Sequence, residues 1–201
     1  MVRRVDGLEE FANTGDDVVI IRRAIVQDAE GLVRVHVDTW KTAYRGIIAG
    51  EVLDRMSYTG RGERWRQTIL EPEGKYIYVA EWNQQDNPST SSPAVVGFAI
   101  AGSNRDDDTH VFKGEVHGIY VLDKYQGKGV GRRLFTRAVQ SLLQDGMDSV
   151  KVWVLADNVN ARGFYERLGG ELADRRDIKI GGIQYPEVAY GWHDATIFRA
   201  R

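Results

Sequence analysis

No cysteine occurs anywhere in the 201 residues, so the chain has neither a disulfide nor a thiol nucleophile. Histidine is scarce as well: His36, His110, His117 and His193 lie far apart and match no zinc-ligand spacing, so no metal site is expected. Net charge of one sign is missing too. A formal charge of -2 gives no electrostatic reason to expect nucleic acid or an anionic membrane as partner. No apolar run approaches the roughly 18 residues needed to span a bilayer. The N-terminus, MVRRVDGLEEFANTGDD, has basic residues but no apolar segment behind them, and so does not read as a secretory signal. These absences leave a cytoplasmic protein as the expectation. What is present is apolar and aromatic: 42% hydrophobic residues, with five Trp and nine Tyr, describe a globular chain and not a disordered one.

Residues 1–17 are polar and read as a loose extension, with a single domain over 18–201. VVIIRRA is rich in β-branched residues and reads as a strand. From Asp28 the positions Ala29, Leu32, Val33, His36, Trp40 and Ala43 recur at helical spacing, ending near Gly46. A second helical pattern runs through Val52, Leu53 and Met56, then Trp65 and Leu70, broken by YTGRG. KYIYVAE and AVVGFAIAG read as strands on either side of the polar loop WNQQDNPSTSSP, and GEVHGIYV is a third. Leu134, Phe135, Ala138, Val139, Leu142 and Leu143 form one apolar stripe of a helix that Gly146 ends. SVKVWVL is a strand. NVNARGFYERLGG is a short helix closed by Gly169 and Gly170, and DIKIGGIQYPEVAYGW gives two strands around a Gly181-Gly182 turn. The fold class is therefore α/β of the α+β type. It predicts a mixed, mostly antiparallel central sheet of about seven strands flanked by about four helices.

One segment spends glycine unusually: YQGKGVGRRL places Gly127, Gly129 and Gly131 at alternate positions immediately before a helix. Glycine in an ordered segment costs entropy, so bare backbone amides at a helix start suggest an anion held there. A P-loop would need Ser or Thr after Lys128, where Gly129 stands. The dinucleotide fingerprint counted from Gly127 fails at Arg132. The pattern that is met is Gln/Arg-x-x-Gly-x-Gly/Ala, by Gln126, Gly129 and Gly131.

With its preceding strand, following helix and the later element Asn158, Ala161, Phe164 and Tyr165, the chain resembles the GNAT superfamily of acyl-CoA-dependent N-acetyltransferases. In element order the resemblance covers about residues 18–192, and it is specific residue by residue from Gly114 to Gly169. It implies acetyl-CoA as co-substrate and no metal. The amides of Gly127, Lys128, Gly129, Val130, Gly131 and Arg132 are then placed to converge on a pyrophosphate, with Lys128, Arg132 and Arg133 adding charge. The resemblance assigns the backbone of Ile119, Tyr120 and Val121 to the pantetheine arm, and Asn158 to a cofactor contact compatible with helix capping. Gly170 departs from the family's usual aromatic after the last helix, and Ile25-Val26 from the capping pair before the first.

Amide formation needs an amine freed of its proton, a polarised carbonyl and a protonated leaving thiolate. Glu115 and His117 stand two apart on one strand and share a face. Glu115 lies eleven residues before Gln126, a spacing similar to that of the catalytic glutamate in the histone-acetylating branch of the family, which makes it the expected base, acting through water. Backbone N–H groups around Val121 are expected to polarise the carbonyl. By resemblance Tyr165 is the general acid. TWKTAYRG resembles a stretch of bacterial GNAT sequences that lies over the acceptor, where Trp40 and Tyr44 share a face as an aromatic wall or as core. The expected acceptor is a small-molecule or peptide amine, and a homodimer is compatible with the reading. A non-catalytic acyl-CoA-binding module of the same fold is the alternative.

Overall fold

The computed structural model describes residues 2–5, 8–12, 17–84 and 94–199. Among the described residues nine strands form one sheet in the order β1-β2-β3-β4-β5-β6-β7-β9-β8. They are β1 Val2–Val5, β2 Leu8–Ala12, β3 Asp17–Arg23, β4 Tyr76–Gln84, β5 Ala94–Ser103, β6 Gly114–Val121, β7 Val150–Leu155, β8 Glu171–Ile180 and β9 Ile183–Trp192. Of these strands, among the described residues, only β6 and β7 pair in parallel. The seven strands from Asp17 onward are the expected mostly antiparallel sheet. Where the sequence predicts a loose extension, β1 and β2 add a further antiparallel pair, with Arg3 in register with Glu10 and Arg4 with Glu9. A charged composition does not forbid a strand at a sheet edge, where such residues are common. Of the predicted polar loop between β4 and β5, residues 85–93 lie outside the described residues.

The helices are α1 Ala29–Ala43, α2 Gly50–Asp54, α3 Arg61–Leu70, α4 Val130–Gln144 and α5 Val159–Arg167. The stripe read from sequence places Leu134, Phe135, Ala138, Val139 and Leu142 of α4 on one sheet face, against Tyr78, Ala80, Val116, Val150 and Val152. All five are fully buried, and truncating one such leucine costs about 2–5 kcal/mol. The other face is covered by α1 and α3, whose Leu32, Val35 and Trp65 meet Val79, Val95 and Phe98. Glycine closes the C-terminal hairpin as its spacing predicts: Gly181 and Gly182 have φ of 60° and 91°, the two positive values a tight turn between twisted strands requires.

Candidate active site

Two irregularities open the sheet in the middle. Ile100 of β5 is opposite Gly118 and Ala101 is opposite Val116, so His117 is an extra residue on β6. Such a bulge bends its strand. On the other side β6 pairs with β7 only at Gly114–Val150 and Glu115–Lys151, after which the strands part. The N–H of Leu122 donates to Val96 O on β5 at 3.0 Å. Since backbone direction alternates, the N–H groups of Ile119 and Val121 point the other way, into the parting. The side chain of Gln126 donates to Val121 O at 2.9 Å, at the open end.

The glycine segment lies at that end. Gly127 and Gly129 have φ of 71° and 80°, and Gly129 is the N-cap of α4. A Cβ at Gly127 would meet nothing within 4 Å, and one at Gly129 only Arg133 Nε at 4.0 Å. Here the glycines serve both a left-handed backbone and open space in front of a 15-residue helix start, a concavity that fits an anion. Gly131 differs, because a Cβ there would touch the Phe164 ring at 3.4 Å, so this glycine faces α5 and not open space. Lys128 Nζ lies 5.0 Å from the Trp82 ring centre, and Arg132 is exposed beside the cradle. Asn158 caps α5 by accepting from the Ala161 N–H at 3.1 Å.

From the α4 face, Tyr165 of α5 packs among Phe135, Phe164, Tyr190 and Trp192. From the α1 face come Trp40 and Tyr44, ring centres 4.9 Å apart, and the side chain of Tyr120. The tyrosines lie near one another: burial first, then the charge of Tyr120, pushes the phenols of both Tyr165 and Tyr44 well above their ordinary value. The Trp40 indole N–H faces the Tyr120 hydroxyl without closing a full hydrogen bond. The structure thus places Tyr165 with the cluster on the α4 face and Tyr120, Tyr44 and Trp40 with clusters on the α1 face.

Glu115 and His117 do share the α1 face, as alternation predicts: the His117 ring covers Gly102, the register partner of Glu115. Glu115 is only 1% exposed, however, and both of its oxygens are engaged. Arg105 donates its Nη2 to Oε1, and its Nε and backbone N–H to Oε2, each of the latter at 3.1 Å. Burial, then the Arg105 charge, lowers the His117 imidazole. Opposite Glu115, the equally buried Lys151 pairs with Asp106 at 2.7 Å and Asp108 at 2.6 Å. Asp106 also accepts from Trp153 Nε1 at 2.8 Å and Arg176 Nη1 at 2.6 Å, and Arg176 continues to Glu187 at 2.6 Å. The Arg105-Asp106-Asp107-Asp108 run carries three of these partners, but their targets sit on other strands, so sequence spacing gave no signal of the network.

The model of the acetyltransferase (GNAT) family matches residues 37–170. The chain belongs to the GNAT acetyltransferase family. Among its GNAT relatives, the uncharacterized N-acetyltransferase YuaI of Bacillus subtilis is 31% identical over 182 residues, 90% of this chain and 97% of that protein. Of the solved structures that share the GNAT fold, the PaiA N-acetyltransferase of Thermoplasma acidophilum, in complex with coenzyme A, aligns with a TM-score of 0.63 at 20% identity, covering 85% of this chain and 97% of that one. An N-acetyltransferase of Staphylococcus aureus aligns with a TM-score of 0.64 at 17% identity, over 88% and 98%. Among the described residues no helix is long and apolar enough to cross a membrane, and no group of three or more His, Asp and Glu is placed to hold a metal ion.

Proposed function

We propose that this chain transfers the acetyl group of acetyl-CoA to a primary amine, which attacks directly while both are bound. The observation that carries the reading is the parting of β6 and β7, with Gly127 and Gly129 leaving open space at the helix start beside its open end. The amides of Gly127, Lys128, Gly129, Val130, Gly131 and Arg132 would hold the pyrophosphate, with Gln126 and Asn158 beside it. The backbone of Ile119, Tyr120 and Val121 would line the pantetheine arm. When bound, the co-substrate supplies an activated acetyl thioester.

The chain's own groups then divide the work. The N–H groups of Ile119 and Val121, aimed into the parting, polarise the acetyl carbonyl. The amine nitrogen bonds to the carbonyl carbon as the C–S bond breaks. Tyr165, protonated in its buried setting, hydrogen-bonds the departing thiolate and passes it a proton, and solvent returns a proton to the phenol as the products leave. Because both Glu115 oxygens face Arg105, Glu115 takes up the amine's proton only through water. Trp40 and Tyr44 wall the acceptor side.

Titration calorimetry with acetyl-CoA tests the binding half: saturable binding is expected, and none up to millimolar concentration contradicts the reading. The engagement of Glu115 by Arg105 favours one alternative, a non-catalytic acyl-CoA-binding module. Thiol release that depends on added amine separates the two. The transferase releases thiol only when an acceptor is present, whereas the module binds acetyl-CoA and releases none.

A further inference from the structure

The class of acceptor is written in the α1 face of the parting, if the transferase reading above holds. Tyr120 lies flat on the sheet over Gly118, where a Cβ would come within 2.8 Å of its ring, so glycine is what lets the phenol lie there. His36 meets Tyr120 at 5.0 Å and Trp40 at 5.6 Å between ring centres, and Phe98 closes the floor at 4.8 Å from Tyr120. His36, Trp40, Tyr44 and Tyr120 are each partly exposed over a fully buried Phe98.

Four carboxylates on and around β6, β7 and β9 are held in ion pairs. Glu115 is held by Arg105, Glu187 by Arg176, and Asp106 and Asp108 by Lys151. A chain of ammonium groups would therefore find aromatic rings and satisfied ion pairs in place of a row of free acids. Burial, then the nearby Arg61 charge, lowers the His36 imidazole to about 4, so this ring stays neutral at ordinary pH. The same desolvation helps an amine seated there to shed its proton, which suits a site whose carboxylate acts only through water.

We propose that the acceptor is a primary amine carried on a flat apolar body, an arylalkylamine in its simplest form, laid against Trp40, Tyr44 and Tyr120 with its nitrogen at the parting of β6 and β7. Flat apolar bodies stack on such rings with a gain beyond their buried area, and a single nitrogen leaves no second charge unpaired on the floor.

The test is thiol release from acetyl-CoA by the full chain with four probes: phenethylamine, spermidine, phenylalanine, and a tetrapeptide with a free N-terminus. The expected order has phenethylamine ahead of each of the others by about tenfold or more in kcat/KM, the ratio one well-formed aromatic contact supplies. Tyr44→Ala should raise KM for phenethylamine by about tenfold with acetyl-CoA affinity unchanged, and Tyr44→Phe, which keeps the ring, should restore it. Equal or better use of spermidine, phenylalanine or the peptide overturns the inference while leaving the transferase reading intact. So does an unchanged KM in a folded Tyr44→Ala chain. The ranking of amines decides even if that variant fails to fold. Thiol release from none of the four, with acetyl-CoA bound, contradicts the transferase reading and this inference with it.

Discussion

Gly129→Ala separates the two tasks assigned to the glycine segment, backbone strain and open space, because the fold contains a matched control. Gly129 has φ of 80° and Gly146, at the other end of α4, has φ of 79°. A Cβ at Gly146 meets nothing within 4 Å, and one at Gly129 nothing nearer than 4.0 Å. Placing alanine in the left-handed region costs about 1–2 kcal/mol at either position. In a chain of this size that lowers Tm by about 2–8 °C. The two variants should therefore lose similar stability in a thermal melt. They should differ in acetyl-CoA affinity. At Gly129 the methyl enters the concavity in front of the helix and displaces an anion from its amide donors, and a hydrogen bond to a charged group contributes about 1.5–3 kcal/mol. Calorimetry should show a loss of about ten- to a hundredfold for Gly129→Ala and no change for Gly146→Ala. Equal affinity in both variants, or an equal loss in both, would refute the cradle.

Tyr165→Phe removes one hydroxyl and keeps the ring, so acetyl-CoA affinity should hold while kcat falls by about 10²–10⁴; an unchanged kcat would make the hydroxyl structural. Arg105→Met leaves the Glu115 carboxylate, 1% exposed, facing an apolar side chain. The loss in a denaturant titration should lie at or below the about 3–5 kcal/mol of a fully buried pair, since Arg105 itself is 56% exposed, and Arg105→Met with Glu115→Gln should recover most of it. Burial works to raise the Asp106 carboxyl, but hydrogen bonds from Lys151, Trp153 and Arg176 outweigh it and hold the group well below the usual carboxylate range. A depressed folded value means the stabilisation is present above the ordinary carboxylate value near 4 and is lost as pH falls below it. The stability difference between the parent and Asp106→Asn should then stay constant from about pH 7 to 5 and shrink below about pH 4, and a difference that widens on acidification would contradict the network.

What could be read in the sequence was whatever is local. The stripe from Leu134 to Leu142 fixes the buried face of α4 because helical periodicity is a property of neighbours, and Gly181-Gly182 marks its turn because two positive φ values demand glycine. The alternate glycines around the start of α4 read as bare amides for an anion, and two of the three, Gly127 and Gly129, have positive φ. The pairing of Glu115 with Lys151 was not legible, since parallel register joins residues whose separation in sequence carries no periodic signal. The engagement of Glu115 by Arg105 is not legible either, because Arg105 lies in the irregular connection between β5 and β6, whose path no periodic pattern fixes, and with it goes the seal around the expected base. Tyr120 was assigned by its backbone alone. Alternation puts Gly118 and Tyr120 on one face, but that the ring folds back over Gly118 is a side-chain conformation the strand pattern does not specify. The strands β1 and β2 were hidden by composition, because polar residues at a sheet edge look like those of a loop.

The central claim, direct attack by an amine on bound acetyl-CoA, is tested most directly by initial rates of thiol release measured over a grid of acetyl-CoA and amine concentrations. Intersecting double-reciprocal lines, with no thiol released in the absence of amine, are the predicted result. Parallel lines, with thiol released and acetyl retained on the protein before amine is added, would contradict it.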